Sequence, residues 1–180
     1  MFKYVMMKLM LKILLIILLT FSQYCFAEYF YILNDKCIED LYSYANIYFQ
    51  NTKILPVKNS QGITLRYFFE DPIELYYNYN ALIFEQIKDF LANLENPVII
   101  EVHIESPPSR EFKGLKRWEL STIIANRIES IIIKSNGKIK KERVNSIGYG
   151  EFLPAKNTPN NGGKYLNRID IIILCNIDGE

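Results

Sequence analysis

The chain has 180 residues, 49% apolar and 23% charged, which suffices for one compact domain plus an extension. The formal net charge is only +1, so no basic footprint marks a nucleic-acid partner. His103 is the only histidine and no CxxC or Cys/His cluster occurs, which argues against a zinc site or a histidine-based catalytic triad; no cofactor is expected.

Residues 1–27 stand apart. Lys3, Lys8 and Lys12 give a basic start, Ile13 to Phe21 form an apolar run broken by Thr20, and Cys25-Phe26-Ala27 puts small residues at the first and third positions of a cleavage site. The pattern predicts a secretory signal peptide cleaved after Ala27. The run is short of the ~20 apolar residues of a membrane span, and an uncleaved anchor is the alternative. Tyr24 sits where a lipobox needs a small residue, which argues against lipidation of Cys25. Cleavage would take three lysines from the 21 basic residues and leave 18 against 20 acids, a mildly negative exported protein. Cys37 and Cys175 are then the remaining cysteines, an even count for an oxidising compartment. Two outcomes stay open: a disulfide between them, or two small buried apolar residues.

Residues 28–61 read as an N-terminal extension. Asn34-Asp35 can cap a helix whose Ile38, Leu41, Tyr42, Ala45 and Phe49 recur at helical spacing and pack on the domain beyond it. Pro56 and Asn59-Ser60-Gln61-Gly62 read as a loop. A domain over 62–180 opens with a strand at 63–68, with Ile63, Leu65 and Tyr67 on one face. Residues 69–79 are irregular and aromatic. An amphipathic helix carries Ile83, Ile87, Phe90, Leu91 and Leu94, stopped by Asn96-Pro97. Val98 to Ile104 is a buried strand, with Val98, Ile100, Val102 and Ile104 on one side. After a loop at 105–117, a second helix spans about 118–135, with Leu120, Ile124, Ile128, Ile131 and Ile132 inward and Asn136-Gly137 at its end. A strand at about 142–147 ends at Gly148-Tyr149-Gly150, a polar loop runs to Gly163, and the last strand, Arg168 to Leu174, alternates Ile169, Ile171 and Ile173. The order is β-α-β-α-β-β behind a leading helix: an α+β fold, a sheet with helices on one face. Only a loop joins the last two strands, so they are expected to pair antiparallel.

Four short motifs recur in a fixed order: His103-Ile104-Glu105 at a strand end, Trp118-Glu119-Leu120-Ser121 opening a helix, Gly148-Tyr149-Gly150-Glu151 followed by Pro154 and Asn157, and Asn167-Arg168-Ile169-Asp170. The set, over roughly residues 62–174, resembles the OmpA/MotB C-terminal, peptidoglycan-binding domain family, and the sixteen-residue step from Glu105 to Ser121 resembles the MotB branch. The resemblance implies an OmpA-like mixed sheet with helices on one face. It also implies a ligand, the diaminopimelate of the wall's stem peptide, whose ammonium would meet Glu105, the match to the family's Asp. Ligand contacts are further implied at Ser121, at Arg168 and at Lys164, the match to the family's Gly-Arg position. Ile124 stands where the family has an Arg that faces the ligand carboxylate. Arg127, one helical turn on, is the candidate to reach the same pocket; the alternative is a solvated surface residue. The Gly148-Tyr149-Gly150 motif reads as architectural, its glycines serving a sharp turn.

No nucleophile–base pair supports an enzyme. Glu101 and Glu105 share a strand face, but nothing else in the chain supports a glycosidase. The expectation is a non-catalytic periplasmic protein whose partner is peptidoglycan, with association with the outer membrane as an option. The competing expectation is a degenerate scaffold that contacts other envelope proteins, and a homodimer is a further option because dimers occur among relatives of this kind. A torque-generating stator subunit is disfavoured, since residues 1–27 hold no acid to carry protons.

Overall fold

The computed structural model describes residues 35–72, 75, 82–106, 112, 114–134, 138–153 and 167–175. The expected signal peptide, Pro154, Asn157 and Lys164 lie outside the described residues. Helix α1 (residues 35–49) leads into strands β1 (Ile54–Asn59) and β2 (Gly62–Phe69). Helix α2 (Leu82–Leu91), strand β3 (Val98–His103) and helix α3 (Arg117–Ile133) follow, then strands β4 (Val144–Gly150) and β5 (Asn167–Leu174). The architecture is α+β, as the alternation implied. No helix among the described residues is long and apolar enough to cross a membrane.

Among the described residues, five strands form one mixed sheet in the order β1-β2-β5-β3-β4; β3 and β4 are parallel and the other pairs antiparallel. Two expectations fail here. Pro56 and Asn59, expected in a loop, belong to an edge strand, Ile54–Asn59, paired with β2 across a two-residue turn at Ser60-Gln61. That turn makes Asn59 and Gly62 a hydrogen-bonded pair, so by alternation the backbone of Pro56 points outward. Proline therefore costs no ladder bond and also blunts the edge. The second failure is the pairing of the last two strands. Strand β5 does not join β4; it inserts between β2 and β3, antiparallel to both. The reason is burial. Ile169, Ile171 and Ile173 fill the core on one face, while Arg168 and Asp170 are buried on the other. A strand buried on both faces belongs in the middle of a sheet.

The apolar stripes of α1, α2 and α3 cover one face of the sheet. Ile38, Leu41, Ala45 and Phe49 of α1 join Phe84, Ile87, Phe90 and Leu91 of α2 and Leu120, Ile124, Ile128 and Ile132 of α3 in one core with Ile100, Val102, Ile169 and Ile171. Tyr44 stacks on Phe90 at a centroid distance of 4.9 Å, and Phe49 lies against the same ring. The extension thus packs on the domain. It is also covalently tied, because Cys37 and Cys175 form a disulfide with Cα atoms 5.9 Å apart.

Helix α3 lies unusually close to β4, and glycine permits this. A Cβ on Gly148 would sit 2.1 Å from the Thr122 backbone nitrogen, and one on Gly150 would sit 2.7 Å from that of Trp118. Of these two glycines, only Gly150 adopts positive φ, at 53°. Gly148 is required by the close approach of a helix, not by the turn that the sequence suggested.

Two outcomes are expected. Gly148→Ala forces helix and sheet apart and destabilises the fold by about 3 kcal/mol or more, read as a lower urea midpoint. Replacing both Cys37 and Cys175 by Ser frees a loop of 138 residues in the unfolded chain and lowers stability by about 4 kcal/mol. Reductant should produce the same shift in the wild type and none in the double variant.

Candidate functional site

With the helices on one face, residues of opposite parity line the other. One row across that second face reads Leu55, Arg66, Asp170, Glu101, Ile147, each cross-strand from the next. The adjacent row sets Phe68 beside Arg168 and Arg168 beside His103. Glu105 lies two residues beyond His103, past the end of β3, and its carboxylate comes within 3.6 Å of Arg168. Asp170 and Glu101 are like charges directly opposite, an arrangement that destabilises a sheet unless compensated.

The compensation comes from arginine. Arg66 grips Asp170 bidentately, Nε to Oδ1 at 2.6 Å and Nη2 to Oδ2 at 2.9 Å. Arg168 donates from Nε to the same Oδ2 at 2.9 Å. Asp170 and Arg168 are 3% and 4% exposed, so these are buried, charge-assisted bonds. The hydrogen bond to Asp170 raises the Arg66 pKa above its ordinary value against the opposing effect of burial. Arg168 is held further by its Nη2, which donates to the Leu153 carbonyl at 2.7 Å. Its remaining nitrogen, Nη1, faces Glu105 Oε1 at 3.6 Å. That is an ion pair beyond hydrogen-bond range.

Glu105 is fixed from below by Asn167. The buried Asn167 amide oxygen accepts the backbone N–H of Glu105 at 2.9 Å and of Ser106 at 3.0 Å. Its nitrogen donates to the Glu70 carbonyl at 2.9 Å. One side chain therefore ties the end of β2, the turn after β3 and the start of β5. Sequence reasoning marked Asn167 only as part of a motif; the signal for its role is a polar residue adjoining a strand that is otherwise apolar on one face.

His103 is 1% exposed and stacks on Tyr149, with centroids 5.2 Å apart and planes 11° from parallel. Its Nε2 lies 3.4 Å from Glu101 and 3.9 Å from Asp170. Burial raises the Tyr149 pKa, and its contacts with Glu101 add to the effect. Glu101, His103 and Asp170 bring possible ligand atoms within 4.8 Å of one another, which is the spacing a metal ion would need. Both Asp170 oxygens, however, already bind guanidiniums. A divalent cation there would confront two fixed positive charges, so the cluster is an ion-pair network and a poor cation site.

The sequence-derived candidates divide accordingly. Glu105 and Arg168 meet. Ser121 is fully buried on α3; its hydroxyl donates to the Trp118 carbonyl and accepts the Gly150 N–H, both at 2.9 Å, and so pins α3 to β4. Ile124 is 1% exposed and belongs to the core. Arg127 lies half-buried on α3, ten residues or about 15 Å along the axis from the start of that helix. It is on the helical side of the sheet, whereas Glu105 and Arg168 meet on the opposite side. The structure therefore places the cation facing Glu105 on β5 instead of α3. Arg66 was missed altogether, because nothing local distinguishes it from a solvated strand residue.

Asn167→Ala should leave two backbone N–H groups and a carbonyl without their partner. The expected cost is about 2–3 kcal/mol in chemical unfolding, with hydrogen exchange accelerated at Glu105 and Ser106 before the rest of the sheet.

Comparison with known proteins bears on the fold. No family model and no curated protein matches the sequence. Solved structures do match. A MotB-like protein from Desulfovibrio vulgaris aligns with a TM-score of 0.59 at 19% identity over 82% of this chain and 99% of that one. The cell wall anchor of the T6SS from Pseudomonas aeruginosa aligns at 0.54 and 14% identity, over 76% and 96%. The periplasmic domain of Helicobacter pylori MotB aligns at 0.54 and 20% identity, over 69% and 82%. At such identities the likeness is one of fold, and the fold of this chain is that of an OmpA/MotB-like domain.

Proposed function

We propose that this chain is a non-catalytic protein of the cell envelope that binds peptidoglycan, holding the diaminopimelate of the stem peptide between Glu105 and Arg168. The observation that carries this is the loose ion pair between them, Nη1 to Oε1 at 3.6 Å, at the end of β3. A zwitterionic amino acid offers an amine to the carboxylate and a carboxylate to the guanidinium. Two charge-assisted hydrogen bonds then replace one contact too long to be a hydrogen bond. Arg168 is already oriented by Asp170 and the Leu153 carbonyl, and Asn167 fixes the backbone of Glu105, so the guanidinium at least needs little ordering on binding. Ser121 contributes by shaping the α3–β4 seam, and Lys164 is proposed as an additional cation for the ligand.

Support also comes from the matched structures, one of which is a cell wall anchor and others periplasmic domains. The disulfide suits an oxidising compartment, in keeping with export to the periplasm by a signal peptide over residues 1–27. The division into that leader, an extension at 28–61 and a domain at 62–180 is part of the same proposal. Association with the outer membrane or with other envelope proteins, and a homodimeric state, are finer points within it.

A scaffold without wall binding is the competing reading, and Ile124 favours it. An apolar residue at the family's Arg position removes a salt-bridge partner, and losing one partner of a desolvated charge pair costs about 2–5 kcal/mol.

Co-sedimentation of the exported protein with purified sacculi separates the two. Wall binding predicts a saturable pellet fraction that free diaminopimelate displaces. Glu105→Gln and Arg168→Gln should each weaken it by about ten-fold or more, while Arg127→Ala stays within about two-fold. A soluble wild-type protein that never pellets leaves the scaffold reading standing.

A further inference from the structure

We infer that Arg66 is a positioning residue for the ligand-binding guanidinium: by locking Asp170 it aims Arg168 at Glu105. This rests on the proposed wall-binding reading and adds to it a residue on another strand, 104 positions away from Asp170 in sequence.

The geometry leaves Arg168 little freedom. A guanidinium has five N–H donors in a planar fork. In Arg168, Nε is engaged by Asp170 Oδ2 and Nη2 by the Leu153 carbonyl. Fixing two corners of a plane fixes the third, so Nη1 can only point toward Glu105. The first of those anchors is itself mobile unless held, because an Asp side chain can rotate about its terminal bond. Arg66 removes that rotation. Its two parallel bonds engage both Asp170 oxygens and set the carboxylate plane. The cross-strand register makes this automatic, since Arg66 lies directly opposite Asp170. Arg66 itself has no part in touching a ligand at Glu105; its effect passes through Asp170 and Arg168.

Lysine at this position would keep the charge but supply a point donor in place of a fork. The carboxylate plane would then be free to turn, and Arg168 would lose its bearing without losing its neighbours. A purely structural role for Arg66 predicts something different: a general fall in stability with no change in how the site tells ligands apart.

The test uses the exported protein as wild type and Arg66→Lys. Side-chain NMR of Arg168 gives a readout that needs no ligand. In the wild type its Nε–H should exchange slowly with solvent, and Arg66→Lys should speed that exchange by about ten-fold or more. Calorimetric titration with free diaminopimelate and with its amidated form gives the second readout. The variant should weaken diaminopimelate by about five- to ten-fold and the amidated form much less, so that the preference for a free carboxylate shrinks. Fast Nε–H exchange already in the wild type, or exchange unchanged in a folded variant, overturns the inference. Parallel loss of both ligands also overturns it, in favour of a structural role. Slowed exchange that depends on Arg66, in a wild type that binds neither ligand nor sacculi, upholds the aiming of Arg168 and overturns the wall-binding reading instead.

Discussion

A carboxylate with almost no access to water, held between two guanidiniums, sets the terms for the face of this sheet opposite the helices. Asp170 is on the central strand, and its burial without partners would cost several kcal/mol. Arg66 from β2 and Arg168 from β5 itself meet that demand. The pairing also selects a register. Slipping β2 against β5 by one residue would carry Arg66 into the helical core and move Ile63 and Leu65 to the face that now holds Thr64 and Arg66. Such a network rarely outperforms apolar residues of equal size in stability. What it supplies here is direction: a fixed guanidinium at the strand end where Glu105 turns over the sheet.

The opposite face works by contact instead of charge. Gly148 and Gly150 let the α3 backbone approach β4 to distances that no side chain would allow. Ser121 then satisfies the Gly150 N–H that this closeness would otherwise leave without a partner. Glu119 reaches back to the Lys116 N–H at 2.6 Å, the returning half of a capping box, so the helix begins at a defined point. The start of α3 is thereby anchored beside the end of β4, and Ile104 donates its N–H to the Gly150 carbonyl at 3.0 Å. The turn bearing Glu105 is thus tied to β4 through Ile104 and to β5 through Asn167.

Much of this was legible in the residues. Helical spacing located α1, α2 and α3, and strict alternation in Ile169, Ile171 and Ile173 located β5 with its inward face correct. These features are local, and local physics sets them. What the sequence hid is non-local. Pro56 reads as a breaker unless one knows that its nitrogen faces away from the neighbouring strand. The insertion of β5 between β2 and β3 depends on burial of Arg168 and Asp170, and charged residues are normally read as exposed. The motif residues Glu105 and Arg168 were found because they sit in recognisable patterns. Their supports, Arg66 and the side-chain role of Asn167, exist only through pairings of residues far apart in the chain.

The isoleucine at position 124 then acquires a physical meaning. At 1% exposure this position is core, surrounded by the apolar stripes of α3 and the sheet. An arginine could be accommodated there only by running its stem out past its neighbours to reach water or a ligand. With isoleucine the helical face of the sheet is sealed, and cationic character at the strand end resides on the opposite side, in Arg168. On the proposed reading, a ligand carboxylate paired with Arg168 would approach from the side of the sheet opposite the helices or from its rim, beside the exposed Phe152 and the Leu153 whose carbonyl holds Arg168. The apolar Ile124 and the buried Arg66–Asp170–Arg168 chain are in this sense complementary: the helix is apolar at this point, and the guanidinium facing Glu105 is fixed on the strand.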